Sequence, residues 1–184
     1  MKRIILTLIA CSLVAACNTN PSGTNSSKEP EKNKEITEKI RFNEPDKPSR
    51  EAVAIQRLKD IRTLQEAHKN VKGYYASTMD SLKMFYNGGV KETLFLDRTD
   101  FCVDSLAYIP FSGGDTVIMN SVVIEISGVK IPLFEAKMPY ASLLKGLDDQ
   151  YVSKIISSRE NQGLYPGLMI GDVKRPNNNV GNWE

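Results

Sequence analysis

The residues of this 184-residue chain that could do chemistry are few: one histidine, three cysteines and a short run of aspartates. A serine or cysteine nucleophile needs a base within hydrogen-bonding reach, and His68 is the only imidazole that could serve. No motif surrounds it. It falls one residue from the apolar stripe of a helical pattern, where a partly exposed structural histidine is expected. Zinc asks for four ligands, which one histidine and one mature cysteine do not supply. Asp97, Asp100 and Asp104 are hard oxygen donors that could take Ca²⁺, but their spacing is not that of an EF-hand. Solvated loop carboxylates are the ordinary reading. Glu35, Glu38 and Glu44 are too scattered to form an acid–base pair. Asp148 and Asp149 are explained by helix capping, and the glycines sit in turns rather than in a phosphate-cradling loop. No catalytic constellation stands out, so a non-enzymatic protein with no cofactor and no small-molecule substrate is expected.

The remaining candidates are aromatic. Tyr74, Tyr75 and Tyr86 could form an exposed patch for a protein partner, although such residues more often pack between helix and sheet. Trp183, the penultimate residue, is expected to dock the C-terminus onto the domain. Cys102 lies in a stretch of alternating apolar residues and reads as a small buried hydrophobe.

The elements that must hold these residues begin with a leader. Lys2 and Arg3 form a positive start, Ile4 to Val14 is largely apolar, and Ala15 and Ala16 are small residues before Cys17. Residues 1–16 read as a signal peptide. The apolar stretch falls short of the ~20 residues a membrane span needs. Val14-Ala15-Ala16-Cys17 resembles the lipobox of bacterial lipoproteins. The resemblance implies that the Cys17 thiol is acylated (palmitate being one such chain), that the leader is cut before it, and that the new amino terminus is acylated too. Two or more chains hold a protein firmly at a bilayer, whereas one holds it marginally. Asn18 is not acidic, and no acidic residues follow Cys17 directly. The same resemblance therefore implies an outer-membrane lipoprotein facing the periplasm. With Cys11 in the leader and Cys17 lipidated, Cys102 is the one free thiol and no internal disulfide is expected.

Residues 17–48 read as a flexible linker. They are rich in Asn, Ser, Lys, Glu and Pro, with Ile36, Ile40 and Phe42 the only large apolar residues. Such a segment cannot bury enough surface to offset its ordering entropy. A short helix from Glu35 to Phe42 is conceivable, stopped by Pro45 and Pro48. Setting aside Lys2 and Arg3 leaves 22 basic against 22 acidic residues. That balance argues against nucleic acid as a partner.

Residues 49–184, roughly 135 of them, suffice for one domain. Ile55, Leu58, Ile61, Leu64, Ala67 and Val71 recur at helical spacing, predicting an amphipathic helix from Arg50 to Val71 with Ser49 as N-cap and Gly73 as its end. Ser77 to Asp80 reads as a capping box for a second, short helix ended by Gly88-Gly89. Leu94 and Leu96 alternate like a strand, and Leu106 to Pro110 reads as another. Ser112 to Asp115 is a turn, from which Thr116 to Met119 runs back. Val122 to Ser127 and Val129 to Ala136 flank Gly128 as a hairpin, with Pro132 marking an edge or bulge. Asp148 is expected to cap a third helix carrying Tyr151, Val152, Ile155 and Ile156, and Leu168 to Val173 a closing strand. The order predicts an α+β fold: helices on one face of a mostly antiparallel sheet.

Two family resemblances accompany this pattern. Asp104 to Ser112, Gly128 to Pro132, Phe134 to Lys137, Tyr165 to Leu168 and Asn178 to Glu184 resemble an uncharacterised family of Gram-negative envelope proteins. This implies location and domain boundaries but no activity. The long helix, Gly73-Tyr74-Tyr75, the capped short helix and the antiparallel sheet together resemble the soluble domain of type II secretion pseudopilins. That resemblance implies a fold, and fold alone does not carry function. The expected role is a lipid-tethered interaction or scaffold module with an envelope protein as partner. A pseudopilin-like structural subunit is the alternative.

Overall fold

The first long helix opens on a carboxylate. Asp46 accepts the backbone N–H of Ser49 at 3.0 Å, and Pro48 sits in the first turn, where its missing N–H costs nothing. Pro48 therefore lies in the first turn of this helix, and Asp46 takes the capping role expected of Ser49. The computed structural model describes residues 46–184. The leader, Cys17, the linker carboxylates Glu35, Glu38 and Glu44 and the stretch from Glu35 to Phe42 lie outside them.

Helix α1, Lys47–Lys72, runs 26 residues and closes where the Gly73 N–H donates to the Lys69 carbonyl. Ala54, Leu58, Ile61 and Leu64 are fully buried along one side of it. The next helix, α2, is Met79–Phe85, and its N-cap is Thr78, which accepts from Ser81 N–H at 3.2 Å. The cap is thus one residue later than the Ser77 box predicts. A π-turn at Tyr86–Val90 follows, with Gly89 at φ 134°.

From Lys91 to Phe101 the chain forms turns, and no strand runs through Leu94 and Leu96. The alternation misleads because Phe95 takes φ 62°. That conformation points its ring back into an aromatic cluster, stacked on Phe101 at 3.9 Å, with Tyr86 edge-on to Phe101 at 5.3 Å. Val103–Ala107 is a 3₁₀ helix where Leu106 was expected to open a strand. The predicted turn at Ser112 to Asp115 is present. It is held by the Ser112 hydroxyl, and the return pairs only through a Tyr108–Thr116 bridge.

The sheet has three antiparallel strands: β1 Ile118–Ile126, β2 Val129–Pro139 and β3 Gly167–Gly171, in the order β1-β2-β3. Ser127 and Gly128, at φ 53° and 81°, form the left-handed turn that the right-handed strand twist favours. β3 pairs with β2 only from Glu135 to Pro139. Pro132 thus lies where β2 has β1 on one side and no described strand on the other, so its missing N–H leaves the ladder intact. A short helix α3, Tyr140–Leu143, which has no strong signature, follows β2 directly. α4, Asp149–Asn161, is capped by Asp148, whose side chain accepts from Tyr151 N–H at 2.8 Å. Val152, Ile155 and Ile156 pack toward the core, whereas Tyr151 is exposed.

Among the described residues the architecture is α+β, with four α-helices and a three-stranded antiparallel sheet. Phe134, Ala136 and Met138 of β2 and Leu168 and Ile170 of β3 bury one sheet face in a core shared with α1. Two polar ties fix α1 to that core. Gln65, fully buried, donates to the Ala76 carbonyl and accepts the Ala76 N–H, both at 2.9 Å. Arg50 donates to the carbonyls of Leu143 and Lys145 at 3.2 and 2.8 Å. Among the described residues no helix is long and apolar enough to cross a membrane.

Candidate functional site

The connection from α1 to α2 shapes the surface that the sequence singles out. Gln65 mimics a peptide group toward Ala76 and so pins the loop Tyr74 to Ser77 against the helix. Between the end of α1 and the π-turn lies an open groove of about 690 Å³, lined by His68, Val71, Tyr74, Met84, Phe85 and Val90 among others. Tyr74 is 53% exposed and Met84 69% exposed, with Val71 similarly open. Lys72 stands on the rim, and Gly88 and Gly89 leave one wall without side chains. Large apolar side chains held open in this way are what protein-binding surfaces present.

His68 forms part of the groove floor. It is buried, against the expectation of partial exposure, because Tyr74 and Phe85 close over it edge-on at 5.3 and 5.0 Å. The Tyr74 carbonyl lies 2.7 Å from Nδ1 and can only accept, so Nδ1 carries the proton and donates. Among the described residues no cysteine or serine is hydrogen-bonded to the ring. The role of His68 is to fix Tyr74.

The three tyrosines do not form one patch. Tyr74 alone is exposed; Tyr75 is only 4% exposed and Tyr86 is likewise buried. Tyr75 packs on Phe134 at 4.7 Å, and its hydroxyl joins Glu66, Lys69 and Asn179 in a network that anchors the C-terminal segment to α1. Tyr86 belongs to the aromatic cluster with Phe95 and Phe101. Trp183 packs partly buried against the core, and Arg62 pairs with Glu184 at 3.0 Å beside it. Val71 and Met84, the neighbours that complete the groove with Tyr74, read in sequence as ordinary helix residues.

The aspartates are also separated. Asp104 pairs with Lys83 at 3.2 Å, and Asp100 pairs with Arg98 through bonds of 2.7 and 2.9 Å. Arg98 also reaches Asp60, buried on α1, at 3.2 Å, and Gln56 donates to the same carboxylate. Asp97 has no converging carboxylate beside it. Among the described residues no group of three or more His, Cys, Asp and Glu side chains is placed to hold a metal. Asp100 and Asp104 are thus each paired with a cation of the protein itself, and the three aspartates do not converge. The Arg98 hydrogen bond holds the Asp100 carboxyl below its usual range, and that bond with the charge of Asp60 pushes Arg98 upward.

Cys102 lines a smaller cleft of about 220 Å³ with Arg57, Asp60 and Arg98, and it is exposed rather than buried. The residue precedes the 3₁₀ helix in an extended conformation. Its neighbours Phe101 and Val103 turn inward instead. Arg57 donates to the Tyr108 carbonyl at the edge of this cleft, and burial lowers its guanidinium below the usual arginine value. Asp60 and its Arg98 partner escape sequence reasoning because 38 residues separate them. Compared with known proteins, the chain matches no family model, and neither a curated protein nor a solved structure matches it significantly.

Proposed function

We propose that the chain is a lipid-anchored envelope protein whose α+β domain binds another envelope protein through the groove between α1 and α2. The anchor rests on Cys17 behind a leader and a small-residue cleavage site. The observation that carries the interaction role is the groove itself, where Val71 at the end of α1, Met84 on α2 and Tyr74 on the loop that the buried Gln65 amide pins between them stand open to solvent. A rigid apolar surface loses little entropy on docking and releases water from three large side chains. The domain acts as a module held off the outer membrane on the periplasmic side. Its chemistry is recognition, without cofactor, metal or nucleic acid.

Two measurements test the two halves. Mass spectrometry of the native polypeptide should find Cys17 as an acylated N-terminus, and an unmodified sulfur there rejects the anchor. A photo-crosslinking residue at position 84 should capture one envelope protein in cells, and Tyr74→Ala should abolish that capture. A clean absence of cross-links rejects the interaction role.

A pseudopilin-like structural subunit is the second reading. It is favoured by a 26-residue helix leading, through a short capped helix, into an antiparallel sheet that packs on it. In-cell cross-link ladders running well beyond dimers would support it, and a chain monomeric at high concentration would reject it.

A further inference from the structure

The two edges of the sheet are treated differently. Along β3, the C-terminal segment adds a bridge between Ile170 and Gly181 and further backbone bonds from Gly171 N–H to Val180 and from Asn182 N–H to Met169. Along β1, among the described residues, nothing pairs with the outer side from Ile118 to Ile126. Monomeric proteins blunt such an edge with a proline, a lysine, a bulge or a very short strand. β1 has none of these. Its nine residues keep one unbroken register with β2, from Ile118 opposite Lys137 to Ile126 opposite Val129, and Glu125 is its single charge.

The side chains point the same way. Met119 and Ser121 face α1, where Gln65 and the Tyr75 carbonyl meet them. The opposite face carries Val122, Ile124 and Ile126 beside Leu133, Ile131 and Val129 of β2, a continuous aliphatic strip. Val122 and Ile126 are exposed, and Val129 is 61% exposed. A bilayer is a poor cover for this edge, because hydrocarbon cannot satisfy its outward backbone groups. A strand of another copy can.

We infer that β1 pairs antiparallel with β1 of a second copy, about a two-fold axis through Val122, joining two three-stranded sheets into one of six strands. This register sets Ile118 opposite Ile126, Asn120 opposite Ile124 and Val122 opposite itself. Glu125 falls opposite Met119, so no like charges meet. The aliphatic strips of both copies then lie side by side on one face. The contact is isologous and closes at two copies. Nine residues a side is fewer than the roughly 20–30 of a standard interface, so the dimer is weak, with a Kd in roughly the micromolar to sub-millimolar range. The inference depends on the sheet alone, not on the lipid anchor or the groove.

Sedimentation of the purified full chain in detergent over a concentration series should show a monomer–dimer equilibrium. Val122→Lys alters an exposed side chain and brings two ammonium groups together at the axis. It should weaken the dimer at least ~10-fold while leaving the far-ultraviolet circular dichroism and thermal midpoint unchanged. In a Cys102→Ser background, Val122→Cys should form an intermolecular disulfide on mild oxidation, because directly opposed strand residues lie within bonding range. Val129→Cys, far from the axis, should not. A chain that stays monomeric throughout overturns the inference. So does a dimer that Val122→Lys leaves intact and Val122→Cys fails to trap. A monomer whose environment-sensitive probe at position 122 is shielded only on adding phosphatidylethanolamine–phosphatidylglycerol vesicles overturns it too, in favour of the bilayer.

Discussion

Gln65 offers the sharpest test of how the groove is held. Its amide is fully buried and satisfies both backbone groups of Ala76, itself almost inaccessible. Gln65→Met keeps the length and straight shape of the side chain, so no cavity opens, but both bonds disappear. A buried N–H and a buried C=O are then left without partners, at about 1–3 kcal/mol each. The apolar side chain returns about 1–2 kcal/mol of transfer free energy. At mid-range the two orphaned groups cost about 4 kcal/mol and the apolar side chain returns about 1.5, so the expected net loss is about 2.5 kcal/mol, read from equilibrium urea unfolding with an unchanged m-value. The loop Tyr74 to Ser77 should lose hydrogen-exchange protection before the sheet does, because its tie to α1 is gone. Lys59→Met, on an exposed position of the same helix, should stay within about 0.5 kcal/mol. A Gln65→Met variant as stable as the parent would refute the claim that this amide sets the loop.

Asp46 caps α1 in full solvent, and its bonds to Ser49 hold its carboxyl below the usual range. Its stabilisation is thus present above the ordinary carboxylate pKa and is lost as pH falls through the lower folded value. Asp46→Asn should keep the cap and remove that acid dependence from the thermal midpoint, whereas Asp46→Ala should lower the midpoint at neutral pH. Gly171→Ala should cost at least about 2 kcal/mol, since a Cβ there meets the Phe134 carbonyl oxygen and φ is 72°. Urea unfolding would measure that cost, and a neutral result would contradict the close approach of β2 and β3. Cys102 should react with a thiol reagent in the native state at a rate unaffected by mild denaturant, and Cys102→Ser should abolish that signal. Labelling that requires unfolding would show the thiol to be buried.

Much of the local structure is legible because a few neighbouring residues decide it. Asp148 before Asp149–Asn161 and Ser127-Gly128 between two β-rich runs act through backbone preference within a turn or two, so they need no tertiary information. The misreadings arise where local pattern and distant contact compete. Leu94 and Leu96 alternate like a strand, but the stacking of Phe95 on Phe101 turns the segment back on itself. The 3₁₀ helix at Val103–Ala107 buries Leu106 just as a strand would, so apolar spacing could not separate the two.

Taken alone, the order of residues was enough to determine the α+β class, the β1–β2 hairpin, the principal helices and the neutral charge balance. Each depends on periodicity, composition or a short-range cap. Only the tertiary structure decided which functional side chains meet solvent. Tyr74 is open while Tyr75 beside it is buried, because Phe134, 59 positions onward, occupies one side of the loop and solvent the other. Asp60 and Asp100 share Arg98, and Cys102 faces outward, for the same reason. Burial and charge pairing are properties of packed surfaces drawn from distant parts of the chain, and no local spacing encodes which surfaces will meet.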